Sequence, residues 1–179
     1  MNHLKLLPCL FLCATLTACQ KPDLGPQVEL NEKEFTDFSL DAKTIEFKSK
    51  YEGITTNVYI NQLMHATETW ARTHFKTTSS QGHALVEFDE IIGQDLPFEK
   101  KPGKLFTTEQ SGKLEGAIAL KISIQNDRGF RNKYLEVRTD RSHTYPENAT
   151  LLEKEKIWRS VINSILNALN SKLKEAMGE

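Results

Sequence analysis

Four cationic and aromatic side chains lie close together in the last third of the chain, just before a proline. They are Arg138, Arg141, His143 and Tyr145. Guanidinium groups bind phosphate and carboxylate groups through paired hydrogen bonds, so these residue types predict a patch for a protein partner or for an anion such as an anionic lipid or a sugar phosphate. Asp140 and Glu147 lie among them, and the alternative is that these acids neutralise the arginines.

Four of the five histidines lie beyond the first twenty residues and are the other candidates for chemistry. His65 and His74 share a predicted helix, but nine steps of about 100° place them on opposite faces. His83 and His143 have no second histidine or cysteine at the spacing of metal ligands. We therefore predict solvated or hydrogen-bonded histidines, no metal site and no cofactor.

Glu87, Asp89 and Glu90 cluster on a predicted strand. A pair of carboxylates in a cleft performs glycoside hydrolysis, but acids at one edge of a sheet more often protect or solubilise that edge. The chain has no Gly-x-Ser-x-Gly motif, and Thr69 stands where a zinc-protease helix starting at His65 needs its second histidine. We expect a protein that is not an enzyme, and a hydrolase of envelope polymers is the least favoured alternative.

The beginning of the chain reads as a targeting signal. Lys5 precedes an apolar run of about a dozen residues, Leu6 to Thr17, which is too short to span a bilayer. The residues Leu16-Thr17-Ala18-Cys19 resemble the lipobox of bacterial lipoproteins. This resemblance implies that residues 1–18 are a signal peptide that is removed, and that Cys19 carries acyl chains such as palmitate. The alternative is an ordinary secretory signal with a chance cysteine.

The residue after the cysteine bears on the compartment. Gln20 stands where, in enteric lipoproteins, an aspartate signals retention in the inner membrane. The resemblance therefore implies a protein anchored by lipid at the periplasmic face of the outer membrane, and the inner membrane is the less favoured alternative. Two or three acyl chains make desorption negligible.

Composition and charge limit the remaining possibilities. Cys9 and Cys13 lie in the predicted signal peptide, so the processed chain has no pair of cysteines for a disulfide. The formal net charge of the whole chain is −1, which argues against nucleic acid as a partner. Residues 19–34 contain two prolines and few apolar side chains and are predicted to form a lipidated tether. Residues 35–179 are predicted to form a single domain.

Hydrophobic periodicity predicts the order strand, helix, three strands, helix. The predicted elements are a strand around Ile45 to Phe47, a helix from Asn57 to about Phe75, strands at about 83–92, 114–125 and 134–139, and a helix from Thr150 to Met177. Residues 99–111 are predicted to form a long polar loop. Because two amphipathic helices can cover one apolar sheet face, we predict an α+β two-layer sandwich with an antiparallel sheet of about four strands.

The stretch from Arg138 to Thr150, followed by Glu153, Ile157 and Trp158, resembles a family of small uncharacterised bacterial lipoproteins, as does Trp70-Ala71-Arg72. The layout is also similar to the lipopolysaccharide-assembly lipoprotein that plugs an outer-membrane barrel and to auxiliary lipoproteins of envelope ABC transporters. These resemblances imply an accessory subunit that docks on an envelope protein in lipid or lipopolysaccharide handling. The alternative is a binder of a small amphiphile, held in a cavity under Trp70 and Trp158.

Overall fold

The computed structural model describes residues 35–50, 55–99 and 110–178. The predicted signal peptide, Cys19, the predicted tether and most of the predicted polar loop lie outside these residues. The described chain forms six strands and two helices. They are β1 (Phe38–Leu40), β2 (Thr44–Ser49), α1 (Val58–His74), β3 (Phe75–Thr77), β4 (His83–Pro97), β5 (Gln110–Gln125), β6 (Arg131–Pro146) and α2 (Leu151–Met177).

The main sheet has the strand order β2-β4-β5-β6. Its three long strands pair antiparallel, as the sequence predicts, but β2 pairs with β4 in parallel. A helix between two strands returns the chain to its starting end, so the strand after α1 runs in the same direction as the strand before it. The α+β class with two helices is confirmed, whereas the sheet is mixed rather than antiparallel. A second, small parallel sheet joins β1 to β3.

The long strands extend well beyond the predicted bounds. Strand β6 continues to Pro146, beyond its predicted end at about residue 139, so His143 is part of a strand and pairs with Leu114. At about 3.3 Å per residue, the 16 residues of β6 span about 53 Å, while the 27 residues of α2 span about 40 Å. The final helix is therefore shorter than the strands beneath it.

A bulge in β4 changes which residues face the helices. The register between β4 and β5 shifts between Phe88 and Glu90, so Asp89 is an extra residue. Before the bulge Ala84, Val86 and Phe88 are buried, and after it the alternation resumes one residue later with Ile91. The second half of the strand therefore places odd-numbered residues on the face that packs against the helices.

Both helices begin at caps that the sequence indicates. Asn57 accepts hydrogen bonds from the backbone N–H groups of Tyr59 and Ile60 at the start of α1. Thr150, the predicted first residue of the final helix, forms a capping box with Glu153 at the start of α2. The helix α1 ends at His74, and Phe75, predicted to continue its apolar stripe, instead begins β3.

The core lies between one sheet face and the two helices. Trp70 and Trp158 are each 1% exposed. The rings of Phe35, Phe38 and Phe75 pack around Trp70 at centroid distances of 5.8 to 6.2 Å. Protein side chains therefore fill the space beside this tryptophan.

Two glycines let the helices lie directly on the strands. A Cβ at Gly93 would stand 2.7 Å from the carbonyl carbon of Tyr59 in α1. At Gly116 it would stand 2.7 Å from Cδ1 of Ile165 and 3.0 Å from the ring of Trp158. Trp158 thus rests on the backbone of β5, and this contact leaves no room there for an acyl chain.

Candidate functional site

The four residues of the predicted patch all lie on β6, but they do not point the same way. Along this strand Val137, Thr139 and Tyr145 are buried against the helices, and Arg141 and His143 share their odd-numbered face. Arg138 points to the opposite, open face of the sheet. The structure therefore separates Arg138 from the other three residues.

Arg138 is engaged by an acid on the neighbouring part of the open face. Its Nε donates to Oε2 of Glu90 at 2.7 Å. This hydrogen bond raises the pKa of the Arg138 guanidinium. Glu90 of β4 thus pairs with Arg138, and the nearby charge of Asp140 also favours the charged guanidinium.

Arg141 lies in an open groove between β6 and α2, which we call the β6–α2 groove. Its volume is about 480 Å³, and its lining residues are Arg141, Ser164, Asn167, Ala168, Ser171 and Lys172. The two cations come from different elements, and the side chains between them are small or uncharged. The groove therefore offers positive charge together with neutral hydrogen-bonding groups.

The cations of the groove also hold the outer edge of β6. Nη1 of Arg141 donates to the carbonyl oxygen of Asp140 at 2.7 Å, and Nζ of Lys172 donates to that of Arg138 at 2.6 Å. His143 Nδ1 donates to the carbonyl oxygen of Thr144 at 2.8 Å. These three oxygens belong to even-numbered residues along the edge strand. Side chains that occupy such oxygens oppose the addition of a further strand.

Tyr145 belongs to a buried contact that the sequence did not indicate. Its hydroxyl donates to Oδ1 of Asp95, and Nζ of Lys154 lies 2.9 Å from the other carboxylate oxygen. The same Nζ lies 3.9 Å from the centre of the Tyr145 ring. We call these three residues the Asp95 clasp. It joins β4, β6 and the first turn of α2.

The electrostatics of the Asp95 clasp indicate a structural role. Burial, and then the hydrogen bond to Asp95, raises the pKa of the Tyr145 hydroxyl. Burial opposes the charge of Lys154, but the hydrogen bonds to Asp95 and Tyr145 raise its pKa overall. The tyrosine stays protonated and the lysine stays charged at neutral pH, so neither is suited to act as a base or nucleophile.

His74, His83 and His143 make hydrogen bonds at separate places. Nδ1 of the buried His74 lies 2.9 Å from a carboxylate oxygen of Asp37. His83 contacts Thr44 and Glu46 at 2.9 and 3.1 Å. Within residues 35–50, 55–99 and 110–178, no group of three or more His, Cys, Asp or Glu side chains could hold a metal ion.

The carboxylate cluster on β4 is held by cations on the open face of the sheet. Asp89 makes ion pairs with Lys50 and Lys121, and its hydrogen bond to Lys121 lowers the pKa of the carboxyl group. The acid of a glycosidase pair needs a raised pKa in order to donate a proton. The environment of Asp89 has the opposite effect and therefore gives no support to the hydrolase alternative.

No protein-family model matches the chain, and no curated protein sequence does either. Among solved structures, the chain is similar to a minor lipoprotein from Acinetobacter baumannii, at 11% identity and a TM-score of 0.42, over 77% of this chain and 97% of that one. It is also similar to rare lipoprotein B from Shewanella oneidensis, at 10% identity and a TM-score of 0.40, over 75% and 94% of the two chains. A third, uncharacterized lipoprotein B from Nitrosomonas europaea, has 13% identity and a TM-score of 0.38, over 76% and 87%.

All three of these proteins are lipoproteins. They do not show the resemblance to the lipopolysaccharide-assembly lipoprotein, which stays a prediction. In the described part of the chain, neither helix combines the length and the apolar character needed to cross a membrane.

Proposed function

We propose that the protein is a non-enzymatic lipoprotein, anchored through Cys19 at the periplasmic face of the outer membrane, that acts as an accessory subunit in lipid or lipopolysaccharide handling. It docks on an envelope protein through the β6–α2 groove. The observation that carries the proposal is the composition of this groove, in which Arg141 and Lys172 flank small and uncharged side chains. The lipobox resemblance supplies the anchor.

The groove suits an acidic segment of a protein partner. Arg141 and Lys172 already bond to carbonyl oxygens of β6, which fixes their positions before a partner arrives. Fixed cations lose little conformational entropy on binding and favour carboxylates over neutral groups. The alternative, a binder of a small amphiphile, has less support, because protein atoms occupy the space around Trp70 and over Gly116 in the core.

Site-directed crosslinking in living cells tests the proposal. A photoreactive phenylalanine analogue at Ala168 stands in the groove, and the same analogue at Lys174 stands on α2 outside the groove lining. We expect ultraviolet light to produce an adduct with an outer-membrane barrel or transporter component from position 168 and not from position 174. Equal adducts from both positions, or none from position 168, would contradict docking at this groove.

The anchor and the docking surface are tested separately. Fractionation of the envelope, with the untagged chain detected in inner and outer membranes, reports the compartment whether or not a partner is captured. We expect recovery with the outer membrane. Recovery with the inner membrane would contradict the placement that Gln20 implies. It would not affect the crosslinking test of the docking surface.

A further inference from the structure

The turn between β5 and β6 presents the most exposed aromatic side chain of the described residues. Phe130 is 67% exposed and Tyr134 is 46% exposed. The turn is held in shape by Asn126, whose side-chain oxygen accepts hydrogen bonds from the backbone N–H groups of Arg128 and Phe130, each at 3.0 Å. Phe130 is therefore displayed on a defined turn and contributes nothing to the core.

Basic residues flank Phe130 in the sequence. We call the set the hairpin tip, and it consists of Arg128, Phe130, Arg131, Lys133 and Tyr134. Within the described ranges, none of its three cations makes an ion pair. The guanidinium of Arg131 lies 5.0 Å from the centre of the Tyr134 ring, whose hydroxyl donates to Glu136 at 2.9 Å. The acid nearest in sequence, Asp127, accepts from the backbone N–H of Gly82 at 2.7 Å.

The hairpin tip lies at the end of the domain where the N-terminal segment enters. Asp41 shares a surface cavity of about 140 Å³ with Asn126 and Asp127 of the turn. Phe35, the first described residue, packs on His74 in the last turn of α1 at a centroid distance of 5.5 Å. Both ends of this entry segment are thus on the same side of the molecule as the turn.

The length of chain before Phe35 limits how far the domain can move from its anchor. Cys19 precedes Phe35 by 16 residues, which reach at most about 55 Å when fully extended. This is about the length of β5 itself, estimated at 3.3 Å for each of its 16 residues. The end that carries the hairpin tip is the end at which the chain from the predicted anchor enters the domain.

We infer that the hairpin tip rests on the anionic phospholipid surface of the membrane that carries the lipid anchor. The inference depends on the lipidation of Cys19 in the proposed function. Phe130 enters the interface between headgroups and acyl chains, where aromatic side chains are favoured. Arg128, Arg131 and Lys133 contact the headgroup phosphates. The contact orients the domain so that the N-termini of both helices point away from the membrane.

Fluorescence quenching by lipid tests this orientation. The full lipidated chain is reconstituted into vesicles of phosphatidylethanolamine and phosphatidylglycerol, with or without bromine on the acyl chains, and collected by flotation. Phe130→Trp places a reporter on the hairpin tip, and Leu151→Trp places one at the opposite end, at a side chain that is 72% exposed. The two native tryptophans are buried and supply a constant background.

We expect brominated lipid to quench Phe130→Trp several-fold more strongly than Leu151→Trp, and replacement of the three tip cations by serine to reduce that quenching several-fold. Equal quenching of the two reporters, or equal quenching in vesicles of phosphatidylcholine alone, would overturn the inference. Protein that fails to float would contradict the anchor and this contact together. Because the vesicles contain no partner protein, failure of the docking proposal would not affect the result.

Discussion

Nζ of Lys154 lies 2.9 Å from Oδ2 of Asp95, and this ion pair fastens the first turn of α2 to the far end of β4. The two residues are 59 positions apart in the chain, and the side chains are 24% and 26% exposed. Tyr145 completes the contact from β6. Three elements that bound the core are thus joined at one carboxylate.

The Asp95 clasp should contribute measurably to stability. Lys154→Met leaves the half-buried carboxylate of Asp95 without its ion pair, and we expect the free energy of unfolding to fall by about 2 kcal/mol. Urea denaturation measures this change in the free energy of unfolding. The matched control is Lys156→Met, a neighbouring exposed lysine of α2, whose change should stay within about 0.5 kcal/mol. Equal losses in the two variants would show that the contact adds nothing specific.

Gly116 should resist even the smallest side chain. The Cβ of Gly116→Ala would meet Cδ1 of Ile165 at 2.7 Å, and we expect a loss of about 1 to 3 kcal/mol from overpacking. Adding Ile165→Val removes that methyl group and should recover part of the loss. Thermal or urea unfolding of the double variant measures the coupling. A double variant whose loss equals the sum of the two single losses would contradict direct contact.

The capping box should make the stability of α2 depend on pH. Hydrogen bonds from the backbone N–H and the hydroxyl group of Thr150 lower the pKa of Glu153. A lowered pKa stabilises the folded state above the ordinary glutamate value of about 4.3, and this contribution is lost as the pH falls through the folded-state pKa. We expect the Tm advantage of the native chain over Glu153→Gln to shrink on acidification. An advantage that stays constant from neutral pH to about pH 3 would contradict this cause.

Lipidation should depend on one cysteine. We expect Cys19→Ala to abolish metabolic labelling with palmitate, because the predicted mature chain has no other thiol to carry a lipid. Cys13→Ala is the control, since Cys13 lies inside the predicted signal peptide. Labelling that survives Cys19→Ala would refute the lipobox assignment.

Periodicity predicted those parts of the fold in which burial alternates regularly. In β5, Leu114, Ile118 and Leu120 are at most 1% exposed and their even spacing indicates the buried face directly. The second half of β6 was not predicted because Arg141 and His143 occupy positions that face the helices and yet remain exposed beside the groove. Their polarity hides the alternation that marks a strand.

The contacts of the candidate site that the sequence could not indicate are those between residues far apart in the chain. Nothing near Asp95 or Lys154 identifies the other as its partner, because the contact depends on how α2 crosses the sheet. The same holds for Glu90 and Arg138, which are 48 positions apart and meet only when β4, β5 and β6 align. The four residues of the predicted patch are close together in the sequence. Because side chains alternate along β6, Arg138 lies on one face of the sheet and the other three lie on the opposite face.

The bulge at Asp89 decides which residues in the second half of β4 face the helices and which face solvent. If Asp89 paired in a regular ladder instead of bulging, Ile91, Gly93 and Asp95 would turn toward solvent, and Glu90 and Ile92 would lie under the helices. The close packing of α1 on Gly93 and the ion pair between Lys154 and Asp95 would then both be lost. Deleting Asp89 would instead leave Phe88 and Ile91 on the helix face with one residue between them. Related chains that keep this architecture can therefore lose the residue at position 89 together with the bulge, but cannot keep the residue and lose the bulge.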